Sequence, residues 1–381
     1  MSDSAGLARV DEMIRTPVAP DQAPFAIHGA PMTEGGRRFI AGLRQRMLAA
    51  GHPEHDVATD QTSVVLHITS HEDPRPFRRG NAGTFVIGIV EAPDRPSDLL
   101  AAAYPYLVRA LANLGLYLLP GGDLPTPVFV TLEQGVYEVG AEDEDAYFSE
   151  VYDHVAPLAL SRLVIANEFV HDLPDEQGDL FTRRLADAGR RLDQLGLLPA
   201  PFPLEGILGP RELRHVKMLF SVGGLSYGNL SVRRDDSSFW MSGSGVDKSA
   251  MTVIGRDILL VTDFDADARS MTLSVPPSVE RPGRVSVDAI EHWMIYHRHP
   301  EVGAIVHAHA WMPDVPTTQI NYPCGTVELA SAVADLVTIA PEPGRAVIGQ
   351  KNHGLTITGP DLDDIFERIE GSAEPRVPMA A

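Results

Sequence analysis

The spacing of apolar residues marks out the elements before any single residue is considered. From Thr33 to Ala50 the apolar residues Phe39, Ile40, Leu43 and Met47 recur at near-helical intervals, which predicts a helix. Ser63–Thr69 (SVVLHIT) and Thr84–Val90 (TFVIGIV) are short runs rich in β-branched residues and predict strands. The polar stretch between them, from His71 to Gly83, reads as a loop carrying Arg75, Arg78 and Arg79. Ser97–Leu118 predicts a second helix with Ser97 as its N-cap. Pro127–Val139 predicts strands around a turn at Gln134–Gly135, Glu142–Asp145 an acidic helix entry, and Leu180–Leu195 a further helix. Residues 31–198 therefore read as an α+β domain of no recognisable type, after a flexible leader over residues 1–30.

The stretch 196–209 (GLLPAPFPLEGILG) holds three prolines and three glycines, a composition that resists regular structure. A break is expected near residue 200, with a linker over 199–209. Beyond it, strands and helices intermingle. Helices are predicted over Arg211–Val222, Ser286–His299 and Glu328–Leu336. Strands are predicted for Phe239–Met241, Ile258–Thr262, Gly303–His309, Ala346–Gly349 and Leu355–Thr358, with Gly228–Arg233 leading into another. Such mixing favours a layered α/β domain over residues 210–370. Residues 371–381 read as a disordered tail.

Composition narrows the function. At 381 residues and 44% apolar content, the chain can bury two cores. No apolar run reaches the roughly 18 residues of a membrane span; the nearest, Leu99–Pro120, is broken by Pro105, Arg109 and Asn113. The start of the chain has no secretion-signal pattern. A formal net charge of −21 opposes binding to nucleic acid, although a local cluster of donors could still hold an anionic substrate. The lone cysteine, Cys324, rules out an internal disulfide and reads as a small buried residue. A cytoplasmic setting fits.

Val302–Ala310 (VGAIVHAHA) is a β-branched run, and alternate side chains of a strand share a face. His307 and His309 then point the same way and can share one metal ion. His353, in Asn352–His353–Gly354, follows one strand-like run and precedes another, and Gly354 permits the tight bend that would turn it into the site. Three histidines with an open position suit a catalytic metal, for which zinc, iron(II) or manganese would all serve. Upstream, Ser286 reads as an N-cap and Asp288 falls in the first helical turn, either stabilising that helix end or aimed at the metal pocket as acid, base or fourth ligand. Glu291 follows one turn on, whereas His292, His297 and His299 read as helix-surface or helix-end residues. Gly228–Arg233 (GNLSVR) and Ser242–Gly245 are amide-rich turns, able to face an anion or to be ordinary β-turns.

In order, Gly228–Arg233, Ser244–Asp247, Ser286–Asp288, Tyr296–His309, Gly325–Ala330 and Asn352–Gly354 make this half resemble the class II aldolase/adducin family, over about residues 205–370. The resemblance implies an α/β/α sandwich around a mostly antiparallel sheet. It implies a divalent metal, zinc first, held by His307, His309 and His353, and a carboxylate at Asp288 that moves the proton. Gly228, Asn229, Ser244, Gly245 and Ser286 match positions that hold substrate, and a homo-oligomer is expected. The implied activity is a metal-dependent carbon–carbon lyase, aldolase or decarboxylase in type, acting on a small hydroxy-carbonyl or carboxylated molecule through an enediolate. Alternatives within the resemblance are a non-heme iron(II) oxygenase and a non-catalytic adducin-like binding protein. This chain departs from the pattern in several places. It has aspartate where aldolases carry glutamate, and Val287 where many sugar-phosphate members have a second serine. It also has a short stretch between His309 and Gly325 and curtailed C-terminal helices. Tyr227 and Tyr322 are the candidates for the general-acid tyrosine.

Overall fold

A computed structural model describes residues 4–131, 135–140, 143–174, 177–198, 204–219 and 227–381. The described residues within 18–161, with 204–219 and 379–381, form one unit; those within 4–17, 162–198 and 227–378 form the other. Among the described residues no helix is long and apolar enough to cross a membrane.

In chain order the elements begin with α1 (Ser4–Arg15), β1 (Phe25–His28), α2 (Glu34–Ala49), β2 (Glu54–His55), β3 (Val64–Thr69) and β4 (Phe85–Glu91). They continue with α3 (Leu99–Ala110), β5 (Leu114–Leu119), β6 (Thr126–Thr131), β7 (Gly135–Glu138) and α4 (Glu144–Ala159). Strands β1 to β7 form one sheet in the order β2-β1-β3-β4-β5-β6-β7. The first five are mutually parallel; β6 and β7 are antiparallel. The α+β expectation is corrected here: β3, β4 and β5 are buried on both faces, as parallel strands must be. The expected helix over 97–118 also divides. Asp98, not Ser97, caps α3, and Leu111 turns left-handed at its end (φ 56°). The apolar run after it becomes the fully buried strand β5. The expected turn at Gln134–Gly135 and the entry at Glu142 fall partly outside the described residues.

The second unit is built on β8 (Ala166–Val170), α5 (Leu180–Gln194), β9 (Asn229–Arg233), β10 (Phe239–Ser242), β11 (Ile258–Asp265), β12 (Ser270–Ser274), α8 (Ala289–Arg298), β13 (Ala304–Ala308), α9 (Val327–Ile339), β14 (Val347–Gln350), β15 (Gly354–Gly359) and α10 (Leu362–Ile369). The intervening α6 (Leu204–Ile207) and α7 (Pro210–Leu219) belong to the first unit. The sheet runs β14-β15-β13-β9-β10-β11-β12-β8 and is antiparallel throughout except where β8 joins β12. Each face carries a core. On one side Ile295, Val333 and the α1 residue Val10 pack with Met241, Leu259 and Ile305. On the other, Leu185, Leu192, Ile365 and Phe366 pack with Leu230, Leu260, Ala304 and Val306.

Three boundaries are thereby corrected. The leader is not loose throughout, because 4–15 is helical and Val10 is 3% exposed against the core. The chain does not divide once near residue 200, because 162–198 packs with the second unit and 204–219 with the first. The tail is not free: Trp311 and Glu374 exchange backbone hydrogen bonds, and Val377 is buried.

Strand β13 positions the site. Even-numbered Ala304, Val306 and Ala308 join the core under α5 and α10, so Ile305, His307 and His309 face the α8 and α9 side. Its neighbours approach through two glycines. A Cβ on Gly228, just before β9, would stand 2.4 Å from the His307 carbonyl oxygen; one on Gly354, opening β15, would stand 2.4 Å from that of Ala308. Gly228 also holds φ +75°. Gly228→Ala is expected to cost about 1–3 kcal/mol of stability and to weaken metal binding by displacing His307. Denaturation midpoints and metal titration measure both, and unchanged values for the two would contradict this account.

Candidate metal centre

His307 lies in β13, His309 just beyond it, and His353 in the tight turn joining β14 to β15, where Asn352 adopts φ +58°. One nitrogen from each imidazole lies within 4.8 Å of the others, the arrangement of a group that can share one ion. Among the described residues this is the one such cluster of histidine, cysteine or carboxylate side chains. The ring centroids stand 4.9–5.2 Å apart and the rings are nearly perpendicular. His307 donates Nδ1–H to the Leu355 carbonyl at 3.1 Å, which leaves Nε2 as a free lone pair. That Nε2 and the Nδ1 of His309 are buried without a hydrogen-bond partner, the state expected of nitrogens meant for a metal. Burial pushes His307 down to about 4 and His353 to about 3, and drives His309 well below its usual value. All three are then neutral, the form that ligates.

Asp288 sits at the N-cap of α8 but makes no cap bond to its own helix. Its carboxylate instead accepts from Asn229 Nδ2 at 2.7 Å and from the Gly325 N–H. Burial raises its pKa; His353, Asn229, the Gly325 amide and Lys248 oppose that rise. Lys248 is a member of the site that sequence patterning passed over, although it directly follows Asp247 in the Ser244–Asp247 motif. It is 3% exposed, and burial pushes its ammonium down to about 8 against the pull of Asp288 and Asp247.

The remaining expected residues divide. Asn229 is buried and committed to Asp288. Gly228 serves close packing, as above. Ser244 and Gly245 form a half-buried turn after β10, in which the Ser244 N–H is taken by the Arg284 carbonyl. Ser286 is half-buried and precedes the helix rather than capping it. Arg233 is no anion contact: it donates to the carbonyls of Val302, Tyr296 and His299. His292 is not a surface residue, whereas His299 lies buried at the helix end as its C-cap and His297 is exposed. His292 is fully buried with Nδ1 on Ser231 Oγ, and His299 bonds Thr338. Every residue of α8 from Ala289 to Tyr296 is buried, so the helix has no solvent face there to which a histidine could be assigned. Of the two tyrosines, Tyr227 has its ring 5.2 Å from that of His309, whereas Tyr322 packs against the α8/α9 core with Cys324, which is half-buried. In the other unit Arg75 pairs with Asp73, and Arg79 donates to Leu111 and Asn113.

Glu291 was no candidate in the motifs, yet it ties the His353 turn together. It accepts from Thr356 Oγ1 at 2.5 Å and from Gln350 Nε2 at 2.9 Å, and Gln350 also donates to Thr356 at 2.8 Å. Gln350 and Thr356 lie on either side of the turn. Burial first, then the charge of Asp288, pushes Glu291 up to about 8. A carboxyl raised in the folded state stabilises fully below its unfolded value of about 4.5 and loses that contribution as pH rises through 8. Wild-type protein is therefore expected to lose stability across that window relative to Glu291→Gln, which keeps the neutral shape, while Glu291→Ala weakens metal binding about 10–100-fold. Thermal melts from pH 4 to 9 and metal titrations check this, and parallel pH profiles of wild type and Glu291→Gln would refute a protonated Glu291.

Residues 219–313 match the class II aldolase and adducin N-terminal domain, a span that includes His307 and His309. A methylthioribulose-1-phosphate dehydratase of Citrobacter koseri is 29% identical over 155 residues, 39% of this chain and 64% of that protein. One of Stenotrophomonas maltophilia is 32% identical over 101 residues, 26% and 41% of the two chains. The chain thus spans less than two thirds of the length of these relatives. The crystal structure of an L-fuculose-1-phosphate aldolase from Thermus thermophilus overlays on 50% of this chain and 89% of its own, with 19% identity and a TM-score of 0.31. Through residues 219–313, the part that carries His307 and His309, the chain is similar to the class II aldolase/adducin family.

Proposed function

We propose that this protein is a metal-dependent lyase of a small phosphorylated or carboxylated hydroxy-ketone. The observation that carries the reading is the convergence of three neutral, buried imidazoles, two with unpartnered nitrogens, beside an independently anchored buried carboxylate. His307, His309 and His353 would hold the ion, zinc or another borderline divalent metal, within an α/β/α sandwich of the class II aldolase type. When bound, the ion acts as a Lewis acid toward the substrate's carbonyl and hydroxyl oxygens.

The chain's own residues supply the rest. Asp288, oriented by Asn229 and the Gly325 amide, takes the proton from the carbon beside the carbonyl. Lys248 presents positive charge to an anionic substrate group. The relatives are dehydratases by name, which shifts the expected broken bond from carbon–carbon to carbon–oxygen: the hydroxyl on the next carbon receives the proton that Asp288 took and leaves as water, and the enol product relaxes to a ketone. Methylthioribulose 1-phosphate is the first substrate to try, and related ketose phosphates follow. Site residues Ser244, Gly245 and Ser286 are proposed to receive the anionic end, and a homo-oligomer is the proposed assembly.

Wild type is expected to carry about one divalent ion in this centre, lost in His307→Ala and His353→Ala by elemental mass spectrometry. Asp288→Asn should retain the ion and lose about 10²–10⁴-fold in turnover. Full activity in Asp288→Asn would remove the carboxylate from the mechanism, and substrate-dependent oxygen uptake by the iron-loaded protein would replace the lyase with an oxygenase.

A further inference from the structure

The first unit carries chemistry that the lyase reading does not use. Its five parallel strands run β2-β1-β3-β4-β5. From β1 the chain moves through α2 to β2 on one side, then returns past β1 to β3 on the other. The strand order therefore reverses between β1 and β3. In open parallel sheets ligands bind outside the carboxyl ends of the strands at such a reversal.

Two histidines stand at that point. His28 is the last residue of β1, and His67 is its register partner on β3. Their Nδ1 atoms lie 3.0 Å apart. His67 is 2% exposed, and its Nε2–H donates to the Arg75 carbonyl at 2.7 Å. That bond fixes the tautomer and leaves the His67 Nδ1 lone pair directed at His28. The Phe77 ring packs at 5.2 Å from His28 and 5.8 Å from His67. His28 itself is exposed, so the pair is reachable from solvent.

An anionic ligand does not fit the same edge. The N-terminus of α2, where a phosphate would settle, is closed by the chain's own Glu91 from the end of β4. Glu91 accepts from the Met32 and Thr33 amides and from the Thr33 hydroxyl, and a Cβ on Gly36 would collide with it. Imidazole nitrogens remain as the donors, and these select borderline divalent ions such as zinc, nickel or copper over magnesium or calcium. Two imidazole nitrogens each about 2.0–2.1 Å from one ion stand about 3 Å apart when the angle between them is near 90°.

We infer that His28 and His67 form a second divalent transition-metal site at the strand-order reversal of the first unit, with solvent or a small ligand completing the coordination. Binding breaks the Nδ1···Nδ1 hydrogen bond, and the exposed His28 ring turns so that both Nδ1 lone pairs meet at one ion. His28 takes the Nε2–H tautomer, so no proton is released and no redox step is involved.

The test is zinc stoichiometry of the full chain by equilibrium dialysis and elemental mass spectrometry. Wild type is expected to bind two ions, His28→Ala one, His307→Ala one and the double variant none, while His297→Ala, at an exposed ring stacked on Trp293, binds two. The copper-loaded His307→Ala protein should show an electron paramagnetic resonance spectrum with two coupled nitrogens, lost in the double variant. His28→Ala is at an exposed position and leaves the buried face of the sheet intact. Wild-type stoichiometry in His28→Ala, or a drop of less than about tenfold in affinity for the second ion, overturns the site. Loss at His28 with none at His307 would instead overturn the metal centre proposed for the lyase and leave this one standing.

Discussion

Burying a nitrogen lone pair with nothing to bond it costs about 1–3 kcal/mol, and the second unit does this at His307 and at His309. Those two residues lie on a strand flanked by β9 and β15, whose backbones close in through Gly228 and Gly354. The strand has little room to shift so as to let either ring find water or a carbonyl. Alternation then determines the rest: the face that carries Ile305 into the α8 and α9 core also carries both imidazoles. The site and the sheet are one construction, and a metal ion is the partner that would remove the cost.

The same burial imposes a division of labour on two carboxyls one helical turn apart. Asp288 and Glu291 are both buried, and burial raises both. Their surroundings differ. Asp288 meets an amide side chain, a backbone N–H, Lys248 and His353, all of which favour its anion. Glu291 meets a hydroxyl and an amide, and the charge of Asp288 opposes its ionisation. Two neighbouring carboxyls whose environments push them apart take different protonation states at one pH. The surroundings of Asp288 favour its anion, whereas burial and the charge of Asp288 favour the neutral form of Glu291, whose carboxyl meets Gln350 and Thr356 on either side of the His353 turn.

What could be read from the sequence follows this physics. His307 and His309 were legible because a β-branched run fixes strand geometry, and period two places i and i+2 together. His353 was legible because Gly354 marks a bend between two strand-like runs. His292 and Glu291 were misread or passed over because helical periodicity assigns polar residues to solvent, and α8 is buried from Ala289 to Tyr296. Gly228–Arg233 read either as a turn facing an anion or as an ordinary β-turn; its small and polar residues serve close packing, Asp288 and the carbonyls at and beyond the end of α8. In the first unit, short β-branched runs identify strands without saying which are parallel, so the mostly parallel sheet could not be told from an α+β arrangement. The single break expected near residue 200 failed because 162–198 finds its core with Leu230 and Ala304, far along the chain, and no local composition encodes that.

The two units also show how far topology carries a functional reading. Strand order alone marks the carboxyl ends of β1 and β3 as a binding edge, and the usual occupant of such an edge is a phosphate-bearing ligand. Side chains decide against it. Glu91 already satisfies the amides that would cradle a phosphate, and its negative charge lies where the ligand's would. What remains at the edge is a pair of imidazoles hydrogen-bonded to each other, nitrogen donors that suit cations rather than anions. A fold specifies where a ligand can sit; the side chains placed there specify what it is.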